Sequence, residues 1–211
     1  MTGSPDHSPD ASRPPETRWD REGSSESHIA HFAGLAAAGE DLEGEARFID
    51  AMAPRGATIL DAGCGAGRVA AALTRMGHRA LGVDRDARLV EAARAAHPDT
   101  AYAVRDLLEV TPRWLAAEGH PTAYDLVVLA GNVMVFLAPG TERAVLEGLR
   151  GLLRPGGRLV AGFATDREYT VVDLDADARA VGLRVDARFS TWHLDAWTGD
   201  SGWAVTILRL P

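Results

Sequence analysis

A glycine-rich loop is the clearest chemical signal in the chain. It runs from Asp61 to Gly67, with glycines at positions 63, 65 and 67, directly after an apolar run and directly before a helical pattern. Glycines let the backbone pass very close to a ligand, and the helix that follows offers unpaired N–H groups. The loop therefore predicts a ligand site, although on its own it is weak evidence.

Two acidic residues stand where the next two apolar runs end. Asp84 lies 23 residues after Asp61, a position where a carboxylate commonly accepts both hydroxyls of a ribose. Asp106 ends the third run and is well placed for the edge of an adenine. Open α/β sheets bind ligands outside the carboxyl ends of their strands, so we expect the loop and both acids at one sheet edge. Together they predict a site for an adenosine compound.

The glycine spacing bears on which adenosine compound it is. A dinucleotide loop has its third glycine three residues after the second, and that position is Arg68 here. The negative charge of Asp61 would also repel a pyrophosphate, whereas it is compatible with a cationic amino-acid sulfonium. A nicotinamide-dependent oxidoreductase is therefore a disfavoured alternative.

Alternating strand and helix patterns must position these residues. Strands are predicted over 57–60, 80–83, 101–104, 126–130, 159–163, 183–190 and 203–210, and helices over 28–38, 42–53, 67–76, 86–96, 111–118, 141–153 and 173–181. The alternation predicts right-handed crossovers and a doubly wound α/β sheet of seven strands with helices on both faces. The last two strands have no helix between them and should form an antiparallel hairpin at the sheet edge.

Three segments then match motifs of one known family. They are Ile-Leu-Asp-Ala-Gly-Cys-Gly-Ala-Gly at 59–67, Gly-Val-Asp at 82–84 and Leu-Arg-Pro-Gly-Gly-Arg-Leu at 153–159. With these segments the chain resembles the class I S-adenosylmethionine-dependent methyltransferases over about residues 42–211. The resemblance implies a Rossmann-like fold, S-adenosylmethionine as cofactor and S-adenosylhomocysteine as product. It also implies direct in-line transfer of a methyl group to a small-molecule O or N acceptor.

The same resemblance implies roles for the loop and the ribose acid. Gly63, Cys64 and Gly65 are expected to line the methionine and ribose portion through backbone contacts. Asp61 is expected near the methionine amino group, and Asp84 on the ribose hydroxyls. Cys64 is not predicted to be a nucleophile, because cysteine is simply small enough for this motif position.

The resemblance assigns further residues to the adenine end of the cofactor. The side chain of Asp106 and the backbone of Leu107 are expected to meet the adenine, with Arg85 beside the ring. Ala130 is expected to contact the cofactor through its backbone. For Asp84 and Asp106 the alternative is an ordinary helix cap or a surface acid.

The residues after the fourth strand, Asn132, Val133, Met134 and Phe136, are candidates for the acceptor site. Methyl transfer needs neither a protein nucleophile nor a metal, and a general base is optional. Asn132, a weak catalytic candidate, could orient an acceptor or touch the cofactor. A turn-forming asparagine is an equally good interpretation.

A second candidate set lies near the final hairpin. The tryptophans at 192, 197 and 203 could form an aromatic wall for a planar acceptor, but packing across the hairpin is the preferred interpretation. His193 is the best, though weak, histidine candidate for a general base. His28 and His31 share a predicted helix face without a third ligand, so no metal site is predicted.

Composition excludes several other mechanisms. All 22 positive charges are arginine, so the usual P-loop, kinase and Schiff-base chemistries lack their lysine. The net charge of −8 argues against a nucleic-acid partner. Cys64, the single cysteine, cannot form an intramolecular disulfide, and no signal peptide or membrane span is visible. We expect a cytoplasmic protein without a membrane partner, and the sequence leaves a homodimer open.

The first 27 residues differ in character from the rest. They are polar and rich in proline and serine, which predicts a flexible tail before a methyltransferase domain over 28–211. The alternative is a lid that folds over a bound ligand with Trp19 as its anchor. Residues 166–200 are acidic, and if they border the acceptor pocket, a neutral or cationic acceptor is favoured. The alternative to an enzyme is a non-catalytic S-adenosylmethionine-binding regulatory or accessory protein.

Overall fold

The computed structural model describes residues 14–210. Its strands are β1 (Thr58–Ala62), β2 (Arg79–Asp84), β3 (Ala101–Val104), β4 (Tyr124–Leu129), β5 (Leu153–Ala164), β6 (Arg184–Phe189) and β7 (Trp203–Arg209). They form one sheet in the order β3-β2-β1-β4-β5-β7-β6. Strands β1 to β5 are parallel, and β7 is antiparallel to both β5 and β6. The predicted fold class, a Rossmann-like doubly wound sheet with an antiparallel terminal hairpin, is confirmed.

Helices cover both faces of this sheet. They are α1 (Arg18–Glu22), α2 (Ser25–Ala37), α3 (Gly44–Met52), α4 (Arg68–Arg75), α5 (Ala87–Ala96), α6 (Pro112–Ala117), α7 (Val133–Phe136), α8 (Glu142–Arg150) and α9 (Val171–Ala180), with a 3₁₀ turn at Leu107–Glu109. The patterns did not predict α1, α7 or the 3₁₀ turn, because elements this short show no helical periodicity. Within residues 14–210 no helix is both long and apolar enough to span a bilayer.

The central strand β4 shows how the sheet is buried. Val127 and Leu129 belong to one apolar cluster, while Leu126 and Val128 belong to the cluster on the opposite side. All four side chains are almost completely buried. Since successive residues of a strand point to opposite faces, a continuous apolar run is what a strand covered on both sides requires. Because both faces of the sheet are covered, a polar ligand can reach it at the ends of the strands.

Residues 155–157, part of the third family motif, form a turn inside β5. Tyr124 pairs with Leu153, and Leu126 pairs next with Arg158, so the intervening residues of β5 form a bulge. Gly156 has a φ of +76°, a conformation that glycine adopts without strain. Strand β5 consequently begins before this turn, whereas the pattern placed its start at residue 159.

The N-terminal part differs from the predicted tail. Residues 1–13 lie outside the described residues, but α1 and the first residues of α2 fall within the range 14–27. Arg18 is buried and donates to the carbonyl oxygen of Leu137 and to the carboxylate of Glu142, both at 2.9 Å. These partners are distant in sequence, so composition could not reveal them. The folded domain therefore begins before residue 28.

Candidate functional site

The glycine loop connects β1 to α4 in a conformation that needs glycine. Gly63 and Gly67 have φ values of +80° and +84°. A Cβ on Gly63 would lie 2.6 Å from Val133 Cγ2, and one on Gly67 would lie 2.5 Å from the hydroxyl of Tyr102. The backbone N–H of Gly63 donates to the carbonyl of Val83 at 2.7 Å, which ties the loop to β2. The loop is therefore a fixed cradle.

Asp84 stands at the end of β2 beside this cradle. Its two carboxylate oxygens accept hydrogen bonds from the backbone N–H groups of Gly65 and Asp86, each at 2.9 Å. Burial raises the pKa of the Asp84 carboxyl above its ordinary value, while the two N–H donors oppose that shift. The helix cap of α5 is Asp86, not Asp84, so capping does not explain Asp84.

A small cavity of about 120 Å³ lies at the ends of β2 and β3. Six of the predicted cofactor residues line it: Gly63, Gly65, Asp84, Arg85, Asp106 and Leu107. Asp106 accepts from the N–H of Leu108 at 2.9 Å and so caps the 3₁₀ turn, and its other oxygen lies 3.4 Å from Nη1 of Arg85. Asp106 is thus both a cap and a wall of the cavity.

A second cavity of about 970 Å³ extends from the loop under α2. Asp61, Cys64, Ala130 and Asn132 are among the residues that line it. Asp61 is buried, and its carboxylate accepts from the N–H of Ala70 at 3.0 Å. Burial raises the pKa of Asp61 to about 7. Asp61 can therefore gain or lose a proton near neutral pH.

Cys64 belongs to the same loop, and its side chain is a thiol. Its N–H donates to the carbonyl of Val83 at 3.0 Å, and burial raises the pKa of its thiol well above the ordinary value. A thiol with a raised pKa is a poor nucleophile. This supports the interpretation of Cys64 as a small residue of the loop.

The two cavities meet along a shared rim. The residues that line both are Trp19, His28, Gly63, Gly65, Gly131 and Phe136. Nε2 of His28 lies only 3.0 Å from where a Cβ on Gly65 would stand, so this imidazole lies directly over the loop. The sequence interpretation treated His28 only as half of a rejected metal site. A histidine on a predicted helix carries no signal for the distant loop it covers.

The N-terminal segment closes one side of this rim. The indole Nε1 of Trp19 donates to Asp86 at 3.1 Å, and the hydroxyl of Ser25 donates to the same carboxylate at 2.6 Å. Arg85 lies 3.1 Å from the carboxylate of Asp20 in α1. The indole of Trp19 thus lies on the rim that the two cavities share.

The residues after β4 divide between the cavities and the core. Asn132 has a φ of +73°, as the turn interpretation expects, and its Oδ1 accepts from the N–H of Ala164 at 2.8 Å. It also lines the larger cavity, whereas Val133 lines the smaller one. Met134 is buried in the core and lines neither. Asn132 is therefore a structural turn residue at the edge of the site.

The aromatic residues near the final hairpin do not form one wall. Trp203 lines the larger cavity. Trp192 instead covers Gly162 and packs against Phe48 with ring centroids 5.4 Å apart. His193 is exposed beside α3 and lines neither cavity, so the structure does not bring this predicted base to the site.

The acidic segment 166–200 contributes no residue to the larger cavity. The acids of that cavity are Asp61 and four residues at the turn into α3, namely Glu40, Asp41, Glu43 and Glu45. Glu43 and Glu45 pair with Arg75 and Arg68 at 2.6 and 2.5 Å. The condition on which the acceptor's charge was predicted, that residues 166–200 border the pocket, is therefore not met by the larger cavity.

Comparison with known proteins identifies the family. The family described as a methyltransferase domain matches residues 59–157. A crystal structure of a TehB-like SAM-dependent methyltransferase from Corynebacterium glutamicum is 39% identical, with a TM-score of 0.81, and covers 89% of this chain and 98% of that one. The chain belongs to the class I S-adenosylmethionine-dependent methyltransferases. The predicted cofactor of the chain, S-adenosylmethionine, is confirmed by this membership.

Curated relatives of this family member are more distant. The ribosomal protein L11 methyltransferase of Janthinobacterium is 26% identical over 174 residues, and the ubiquinone biosynthesis O-methyltransferase of Pectobacterium carotovorum is 28% identical over 144. These alignments cover 78% and 62% of this chain, but only 46% and 58% of the two relatives. This chain thus spans about half the length of the curated relatives.

The site of this family member fits its cofactor. Gly63 and Gly65 line both cavities and carry no side chain, so their backbone is open to an elongated ligand. The carboxylate of Asp84 matches a ribose diol, and the small cavity beyond it has the buried side chain of Leu107 for an adenine. Asp61 supplies a carboxyl for an ammonium group on the other side of the loop.

Proposed function

We propose that this chain transfers the methyl group of S-adenosylmethionine to a small-molecule acceptor. One observation carries the proposal: a small cavity lined by Asp84 and Asp106 and a larger cavity share Gly63 and Gly65 of the glycine loop. Such an arrangement leaves room for an acceptor beside a bound cofactor. When bound, S-adenosylmethionine supplies an electrophilic methyl group on a cationic sulfur.

The chain's own residues bind the cofactor and orient it for the reaction. Asp84 and the loop hold the nucleoside side, since both are already ordered by hydrogen bonds. Asp61 binds the amino group on the opposite side of the loop. Trp19 and His28 line the junction of the two cavities. In-line displacement requires mainly such alignment, with the acceptor atom about 3 Å from the methyl carbon.

The larger cavity favours a neutral or cationic O or N acceptor. Its lining includes five carboxyl groups, at residues 40, 41, 43, 45 and 61, against the guanidinium groups of Arg68 and Arg75. An anionic acceptor would meet this excess of negative charge. Apolar side chains of α2, among them Ile29 and Phe32, suit an acceptor with an apolar body. One curated relative is named as an O-methyltransferase of ubiquinone biosynthesis, which supports an oxygen acceptor.

The decisive experiment separates the cofactor from the reaction. Calorimetric titration with S-adenosylhomocysteine and with NAD is expected to show binding of the first only, and binding of NAD alone would refute the proposal. Methyl-labelled S-adenosylmethionine is then incubated with catechols, phenols and primary amines, with Asp84→Ala as the inactive control. Transfer to at least one acceptor establishes an enzyme. S-adenosylhomocysteine binding without transfer to any acceptor favours a non-catalytic binding protein.

Two further proposals concern the setting of the protein. We place it in the cytoplasm, because Cys64 is a free thiol and a reducing compartment keeps it so. A homodimer stays a prediction, which sedimentation of the purified chain can test.

A further inference from the structure

One ionisable side chain lies where the two cavities meet. Of the described residues that line both cavities, only His28 has an ionisable side chain. Its Nε2 reaches to 3.0 Å from the position of a Cβ on Gly65, over the middle of the cradle. Among the hydrogen bonds of residues 14–210, none uses a ring nitrogen of His28 (the imidazole contacts are ring packing). Its nitrogens are therefore available to a ligand.

We propose that His28 accepts the proton that a hydroxyl or amine acceptor loses during methyl transfer. This rests on the proposed function. The acceptor's oxygen or nitrogen lone pair forms the new bond to the methyl carbon. The bond between methyl and sulfur breaks, and its electron pair stays on sulfur, which becomes neutral. The acceptor's proton moves to the imidazole, and the imidazolium later releases it to solvent.

Neighbouring side chains hold the imidazole in place. Trp19 of α1 packs edge-on against it with ring centroids 5.8 Å apart, and Phe32, one helical turn along α2, lies at 4.9 Å. A base must be held in a fixed position to act in a short-lived transition state. The α1 segment and α2 together provide that support.

The charges around His28 keep it ready to accept a proton. The ionisable groups that face it are Arg68 on α4, His31 on its own helix and Asp86 at the start of α5. Burial is the main cause that lowers the pKa of His28, the neighbouring Arg68 and His31 add to it, and the carboxylate of Asp86 opposes them. The imidazole is consequently neutral at pH 7 and above, which is the form a general base needs.

The other titratable groups of the larger cavity are less suitable. The carboxylate of Asp61 is bonded to the N–H of Ala70, and Glu43 and Glu45 are paired with arginines. Cys64 is a thiol of raised pKa. His97 follows the last residue of α5, about 15 Å along that helix from the sheet edge that bears the acids. Glu40 is exposed, and Asp41 is paired with Arg47.

A chromogenic phenol tests this assignment without knowledge of the natural acceptor. 4-Nitrocatechol changes its absorption spectrum when it ionises. It is titrated with base in its complex with the protein and S-adenosylhomocysteine. We expect the bound phenol to ionise at a lower pH in the wild-type complex than in His28→Gln, because only the wild type has an imidazole that can take up the proton. Ionisation at the same pH in both complexes would overturn the proposal.

Kinetics separate a proton acceptor from a packing residue. With 4-nitrocatechol as acceptor, His28→Gln and His28→Phe are each expected to lower kcat about 100-fold or more, while KM changes little. His28→Phe keeps an aromatic ring beside Trp19, so retention of kcat in that variant would show a packing role and refute the proposal. The matched control is His31→Gln, because His31 is exposed on the same helix and lines neither cavity.

Two measurements keep folding and cofactor binding apart from proton transfer. In His28→Phe the midpoint temperature of unfolding should stay close to that of wild type. The affinity for S-adenosylhomocysteine should stay within about twofold of wild type. The wild-type pH–rate profile should rise to a plateau as His28 loses its proton, and this inflection should vanish in His28→Gln. An inflection that persists there identifies a different base. Failure of the wild type to bind S-adenosylhomocysteine would refute the proposed function itself.

Discussion

The backbone N–H of Gly65 donates to the carboxylate of Asp84 across 2.9 Å, which joins the glycine loop to the end of β2. The second carboxylate oxygen accepts from Asp86 N–H at the same distance. Both oxygens keep free lone pairs, since a carboxylate has about four acceptor positions. The acid is therefore oriented before any ligand arrives, so little ordering is left for binding to supply.

Removal of this carboxylate should weaken cofactor binding. Asp84→Ala loses charge-assisted hydrogen bonds to a ribose, each contributing about 1.5–3 kcal/mol, and also frees the N–H of Gly65. We expect the affinity for S-adenosylhomocysteine, measured by calorimetric titration, to fall by about 10-fold to 100-fold. Asp99→Ala is the matched control, because Asp99 is an exposed acid outside both cavities. Unchanged affinity in Asp84→Ala would reject the ribose role.

The cradle should not tolerate a side chain at Gly63. Gly63→Ala and Gly56→Ala both place alanine at a positive φ, +80° and +67°, which costs about 1–2 kcal/mol in each case. Only Gly63→Ala adds a clash, with Val133, whereas a Cβ on Gly56 meets nothing within 4 Å. We expect the free energy of unfolding to drop by about 1–3 kcal/mol more in Gly63→Ala.

The same pair of variants also tests the ligand site. Gly63→Ala should lose affinity for S-adenosylhomocysteine, while Gly56→Ala should bind it as wild type does. Equal unfolding temperatures and equal affinities in the two variants would contradict the cradle geometry.

Cofactor binding should release a proton from Asp61. The carboxyl has a pKa of about 7 because it is buried, so it is mostly protonated at pH 6. An ammonium group beside it favours the ionised form and lowers that pKa. S-adenosylhomocysteine affinity should therefore rise with pH up to about 7 and level off above it.

Calorimetry in buffers of different ionisation enthalpy counts the released protons. At pH 6 we expect most of one proton per site in the wild type. Asp61→Asn keeps the size and an oxygen for the N–H of Ala70 but has no proton to release. The same proton count in both proteins would show that Asp61 does not meet the ammonium group.

The ion pair between Arg18 and Glu142 should hold the N-terminal segment over the site. Both side chains are nearly buried, at 10% and 7% exposure, so Arg18→Ala leaves an unpaired buried carboxylate that costs about 3–5 kcal/mol. We expect faster hydrogen exchange in residues 14–24 and weaker S-adenosylhomocysteine binding. Glu168→Gln is the control: Glu168 also pairs with Arg18 but is 79% exposed, and its loss should cost less than about 1 kcal/mol. Equal rates of hydrogen exchange in Arg18→Ala and Glu168→Gln would show that the Arg18–Glu142 ion pair does not hold this segment in place.

Local patterns predicted the elements that carry the cofactor site. The apolar runs and their acidic ends located β1, β2 and β3 to within two residues, because a buried parallel strand must be continuously apolar. Short elements escaped this reasoning. Helix α1 is stabilised by a capping box between Thr17 and Asp20 and by the tertiary contacts of Arg18, none of which shows as periodicity.

The sequence by itself indicated an adenosine compound, because the glycine loop and its two acids follow consecutive strands and so meet at one end of the sheet, and the resemblance to the family indicated S-adenosylmethionine. The tertiary structure alone decided which histidine covers the loop and which acids line the larger cavity. His28 lies at the junction of the cavities, whereas His193 lies outside both. Arg18 reaches Leu137 and Glu142, more than 100 residues away. Such placements depend on how helices pack across a finished sheet, and spacing along the chain carries no record of that packing.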